Sequence, residues 1–147
     1  MRLNAKVWPL STPHPAFPKE AFDWAWVTHV KLIYQNYRPT AWFEAHIDSG
    51  SPWCLFHSSF CKSLGINLES GIRDELGGVI GGASAPMYFH KVKILIGSTI
   101  FETVAGFSSA LVVAGILGRH GFFDNFTVTF DPSEYPPQID LTRLQRV

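Results

Sequence analysis

Cysteine is scarce in this chain: Cys54 and Cys61 are the two it has, neither belongs to a Cys-x-x-Cys pair, and His14, His29, His46, His57, His90 and His120 lack short paired spacings. Zinc sites draw their ligands from closely spaced Cys and His, so this pattern argues against one. No metal and no cofactor is expected. A helix expected between the two cysteines makes reduced, buried thiols the better reading than a disulfide. Excess charge of either sign is missing as well, since twelve Lys and Arg balance twelve Asp and Glu. Without a basic field, neither nucleic acid nor an anionic membrane surface is an expected partner. No window approaches the ~18 apolar residues of a membrane span. Residues 1–9 carry charge and no unbroken apolar stretch, unlike a secretory leader, so a cytoplasmic location is expected. A Gly-x-Ser-x-Gly elbow is also absent, which leaves a Ser-His-Asp hydrolase without its nucleophile turn.

What is present suits a single core: 147 residues, 46% of them hydrophobic, are enough for one domain and short for two. Residues 1–22 contain Pro9, Pro13, Pro15 and Pro18 and read as a proline-rich extended arm. Residues 23–131 read as the folded domain. Residues 132–147 form a tail with Pro136-Pro137 and a possible short helix over 140–146, whose Ile139, Leu141 and Leu144 would dock on the body or lie in a dimer interface.

Within the domain, residues 41–47 alternate, with Phe43, Ala45 and Ile47 on one face and Trp42, Glu44 and His46 on the other, the period of a half-buried strand. A strand over 24–35 and a turn over 36–40 precede it. After it come a short strand at 54–56 and a helix of about two turns, N-capped by Ser58 and stopped by Gly65. Residues 72–80 and 83–96 form a hairpin with Gly77, Gly78, Gly81 and Gly82 at its tip. Strands over 99–107 and 111–114, a short helix over 122–125 and a last core strand over 126–130 complete it.

The strand at 41–47 runs into Asp48-Ser49-Gly50-Ser51, a carboxylate in a turn of hydroxyl and glycine residues. These are also ordinary β-turn residues, so the tetrapeptide alone does not decide its chemistry. Two later segments do more. Ile116-Leu117-Gly118-Arg119 precedes the expected short helix, and Gly77-Gly78-Val79-Ile80-Gly81-Gly82 lies between. Taken together, the three resemble the retropepsin-like family of aspartic proteases. That family pairs hydrophobic-Asp-Thr/Ser-Gly-Ala/Ser/Thr, matched by Ile47 to Ser51, with a later Ile-hydrophobic-Gly-Arg, and carries a glycine-rich flap tip between them. The resemblance spans residues 27–131, roughly two-thirds of the chain.

The resemblance implies an all-β, retropepsin-like, closed or partly open acid-protease barrel with one or two short helices, a flap hairpin and a homodimeric assembly. It implies an aspartic endopeptidase acting on polypeptides, with Asp48, Ser49, Gly50 and Ser51 as the catalytic turn. Peptide hydrolysis of this kind needs two carboxylates sharing one proton. No second Asp-Thr/Ser-Gly occurs in the sequence, so the other Asp48 must come from a second copy across a two-fold axis. Activity is then expected at acidic to mildly acidic pH. Ser49 would cross-link the two catalytic turns, and the Ser51 hydroxyl would donate to the carboxylate. Gly78, Val79, Ile80 and Gly81 of the flap and Val113 of the floor would hold an extended substrate. Ile116, Leu117, Gly118 and Arg119 would support the site, with Gly118 passing close under the turn. Arg119 departs from the pattern, because its usual acidic partner beyond the tetrapeptide is replaced by Pro52 and Trp53. Chain ends help form the family's dimer interface, so the arm is a candidate to wrap a partner subunit. The alternative is a non-catalytic retropepsin-like dimerisation and peptide-binding module. The retained Asp48 argues against it, since a pure binder has no need to bury two repelling carboxylates.

Overall fold

Short runs of β-branched and aromatic residues dominate this chain, and in the computed structural model, which describes residues 1–77 and 83–145, they fold into strands. In chain order these are β1 (Arg2–Asn4), β2 (Lys6–Pro9), β3 (Phe22–Ala25), β4 (Val27–Ile33), β5 (Phe43–Ile47), β6 (Leu55–His57), β7 (Ile72–Leu76), β8 (Ala85–Ile96), β9 (Thr99–Ser108), β10 (Gly115–Leu117), β11 (Phe126–Asp131) and β12 (Gln138–Arg143). One helix, α1 (Ser59–Leu64), and a 3-10 turn at Leu68–Ser70 interrupt them. The expectation of an all-β barrel with one or two short helices is met.

Hydrogen bonding in the order β4-β5-β10-β6-β9-β8 returns to β4 through Val30↔Ile96 and its neighbours, so six strands close a ring. Closure satisfies the edges that an open sheet would leave unpaired. The long β8 makes this possible by changing partners: residues 93–96 pair with β4, while its start pairs with β7 from Ile72↔Phe89 to Leu76↔Ala85. The β7/β8 hairpin therefore projects from the barrel. Its expected tip residues Gly78, Val79, Ile80 and Gly81 lie outside the described residues. Inside the ring, Val30, Leu32, Ala45, Phe56, Ile94 and Leu117 are completely buried.

Helix α1 ends at Gly65, whose φ of 71° is the left-handed geometry that a glycine accepts without a Cβ penalty. Its start differs from the expectation. Ser58 makes no side-chain cap, and the Ser59 N–H donates instead to Nδ1 of His57 at 3.1 Å.

Four further expectations are corrected. The strand expected over 24–35 is divided at Trp26 between β3 and β4. Residues 111–114 form no strand, because pairing begins at Gly115, opposite Phe56. Residues 122–125 form a turn rather than a helix, with the N–H groups of Phe123 and Asp124 reaching back to the carbonyls of Gly118 and Arg119 at 3.2 and 3.0 Å. Residues 140–146 contain no helix among those described. Ile139 and Leu141 are buried and alternate with Asp140 and Thr142, which is the period of a strand, and β12 pairs with β11 along its length.

Strand β12 also pairs with β1, in the register Leu3↔Ile139, and β2 pairs with β3, Val7 standing opposite Trp24. Two strands thus form inside residues 1–22. They are compatible with the prolines, which first appear at Pro9, the last residue of β2.

Candidate active site

Asp48 is placed by the parallel pairing of β5 with β10, where His46 faces Ile116 and Ile47 faces Leu117. The pairing continues for one more bond, as the Asp48 N–H donates to the Leu117 carbonyl at 3.0 Å. Beyond it the chain turns: Ser51 N–H returns to the Asp48 carbonyl at 3.2 Å, and Gly50 N–H donates to Asp48 Oδ1 at 2.8 Å. That last bond holds the carboxylate against the backbone of the turn. Asp48, Ser49 and Gly50 are all exposed.

The continuation of β10 fastens the other side of the turn. Arg119 N–H donates to the Ser51 carbonyl at 2.9 Å, and His120 N–H to that of Pro52 at 2.9 Å. Gly118 is required between them. A Cβ there would lie 2.1 Å from the Trp53 carbonyl oxygen and 2.7 Å from that of Ser51, both of them backbone atoms. Gly118 thus passes close against the backbone of Ser51 and Trp53. Arg119 is tied to the turn through its side chain: its Nη1 donates to the carbonyls of Ser49 at 2.9 Å and Gly50 at 3.1 Å.

Ser51 behaves differently from the expectation. Its hydroxyl donates to the Trp53 carbonyl at 2.8 Å, and a hydroxyl has one proton to give. Its donor bond therefore holds the turn and does not reach the Asp48 carboxylate.

Two hollows flank the turn. One, of about 720 Å³, lies towards the hairpin and is lined by Ser51, Trp53, Leu55, Leu76, Met87 and Ile116 among others. The other, of about 580 Å³, contains Asp48 itself together with Trp24, Trp26, His46, Val113 and Ile116. Val112, 97% exposed, lines both. Val113 thus accompanies Asp48 in the second hollow, while Leu111 and Ile116 also border both. Leu117 is buried and acts through its carbonyl.

Sequence reasoning missed the tryptophans. Trp53 lies 5.3 Å from the His120 ring and 5.6 Å from Phe89, centroid to centroid, and its carbonyl receives Ser51. Trp24 and Trp26 come to Asp48 from the segment before β4. The signal available for Trp53 was its place just beyond the tetrapeptide; nothing local marked the other two.

Both cysteines are buried and free. Burial pushes the Cys54 thiol up to about 12 and that of Cys61 up to about 11. Among the described residues, no group of three or more His, Cys, Asp and Glu could hold a metal ion, and no helix is long and apolar enough to cross a membrane.

No protein-family model matches the sequence, and no match is found among curated proteins. Among solved structures, the EIAV protease complexed with the inhibitor HBY-793 is similar at 20% identity, covering 63% of this chain and 80% of that one, with a TM-score of 0.45. A likeness of that degree adds no argument to the geometry of the site.

Proposed function

We propose that the chain is an aspartic endopeptidase that works as a homodimer, with Asp48 of each copy meeting at a two-fold axis. The observation that carries this reading is an exposed carboxylate on a turn whose backbone is fastened on both sides, by Leu117 to Asp48 and by Arg119 to Ser49, Gly50 and Ser51. Catalysis by positioning requires this rigidity, because small displacements of a reacting group cost rate. The residues lining the Asp48 hollow include no second carboxylate. A second copy supplies it.

In the pair, one Asp48 is ionised and takes a proton from a water held between the two. The water oxygen then attacks the scissile carbonyl carbon, while the protonated Asp48 donates to the carbonyl oxygen. The tetrahedral intermediate collapses as a proton passes to the amide nitrogen and the C–N bond breaks. Ser49, at the turn's apex, would link the two turns. An extended peptide would lie between turn and hairpin, with an apolar side chain in the hollow lined by Leu55, Leu76, Met87 and Ile116. Val113 would border the Asp48 side of the floor.

The test is digestion of a mixed peptide library across acidic to neutral pH, read by mass spectrometry, with native chain and Asp48→Asn side by side. Cuts present with the native chain and lost in the mutant are expected, with unchanged circular dichroism. A folded native chain that cuts nothing while retaining peptides would overturn hydrolysis in favour of a peptide-binding module.

A further inference from the structure

Bringing two copies of Asp48 to one axis buries whatever surface adjoins that residue. Two surfaces do so, and they differ in character. The hollow towards the hairpin has to stay open if an extended peptide is to enter. The hollow that contains Asp48 adjoins it, with Leu111, Val112 and Ile116 lining both, and is lined as well by Trp24 and Trp26, from which aromatic rings extend over the surface. Trp24 meets Trp26 at 4.7 Å between ring centroids, Trp26 meets Phe130 at 4.6 Å, and Phe22, two positions before Trp24 on β3, meets Tyr135 at 5.9 Å.

These rings are not covered. Phe22, Trp24, Phe130 and Tyr135 remain 47%, 40%, 36% and 70% exposed. At roughly 200 Å² per aromatic side chain, they present on the order of 400 Å² of surface, about half of the ~800 Å² that each partner of a stable complex buries. Patches of this size on a soluble chain mark interaction sites.

Strand β12, which might otherwise join two copies, is engaged within one. Strand β12 lies between β1 and β11, with backbone bonds in both directions between Met1 and Leu141. The outer edge of this sheet at β1 is three residues long, and its Arg2 is held by Asp140 at 3.0 Å. Short, charged edges resist addition of a further strand.

We propose that a second copy of this chain docks on the aromatic face of Trp24, Trp26 and Phe130, beside Asp48. The inference rests on the dimeric reading above and says where that dimer is made. An isologous interface presents the same face twice, and an aromatic face is complementary to itself. The hairpin side is then left free for substrate.

The experiment is light scattering after size exclusion, from low to high micromolar concentration, on the full native chain, Trp24→Glu, Phe130→Glu and Val104→Glu. Val104 is 52% exposed on β9 and lines neither hollow, so its variant should dimerise as the native chain does. Trp24→Glu and Phe130→Glu should weaken the dimer by about tenfold or more, with unchanged circular dichroism. Two face variants guard against one that fails to fold. If both are folded and dimerise like the native chain, the docking face is wrong and the catalytic reading stands. If the native chain stays monomeric, the face is overturned, and Asp48-dependent cleavage by that monomer would overturn the shared site too. If the face variants become monomers but no form cuts peptide, the interface is supported and proteolysis is refuted.

Discussion

Arg119 Nη1 donates to the Ser49 carbonyl at 2.9 Å, joining residues seventy positions apart across the candidate catalytic turn. The same nitrogen reaches the Gly50 carbonyl at 3.1 Å. The guanidinium thus holds two backbone acceptors of the turn itself. The bond ties the loop carrying the carboxylate to the end of β10 through a side chain as well as through the backbone.

Arg119→Ala should accordingly loosen the turn more than it unfolds the chain. The bonds are exposed, so the stability loss is expected at about 1 kcal/mol. Peptide cleavage should fall by a larger factor, since the position of Asp48 depends on the turn. Thermal unfolding and kcat/KM measured on the same samples separate the two effects, and equal losses in both would count against a positioning role.

Gly118→Ala should be severe. Its Cβ meets two backbone carbonyls below van der Waals contact, so the turn or β10 must shift, at a cost of about 1–3 kcal/mol. Gly77→Ala is the matched control, because nothing among the described residues lies within 4 Å of a Cβ there. Urea unfolding of the pair checks this contrast.

Cys54 predicts a pH dependence. Burial raises the folded thiol from its ordinary value of 9.0 to about 12. Between those values the unfolded thiol ionises while the folded one keeps its proton, so the contribution to stability is complete below pH 9 and is lost as pH rises towards 12. Cys61, raised to about 11, adds in the same direction. Denaturant midpoints should fall across this alkaline window, less steeply in Cys54→Ala. Thiol-specific reagents should leave native Cys54 unmodified at neutral pH and label it once the chain unfolds.

Ile139→Ala tests whether β12 belongs to the core. The side chain is completely buried, and truncation there should cost about 2–5 kcal/mol, visible as a large fall in the thermal midpoint. A change below 0.5 kcal/mol, the range of ordinary surface substitutions, would show that β12 is loosely held.

Local patterns determined much of this protein. The alternation of Phe43, Ala45 and Ile47 specified β5, Gly65 specified the end of α1, and the single Asp-Ser-Gly element specified that one chain brings one such aspartate. Each is a property of neighbouring residues: strand period, left-handed backbone geometry, motif count. Tertiary structure decided where the donors went. Ser51 turns to Trp53, Arg119 to Ser49 and Gly50, and His57 in place of Ser58 receives the first amide of α1. It also made 138–143 a strand, since β12 gains two pairing partners, β1 and β11, from opposite ends of the sequence. A hydrogen-bond donor finds its acceptor only when the chain has closed around it, and that closure is carried by contacts between residues far apart in sequence.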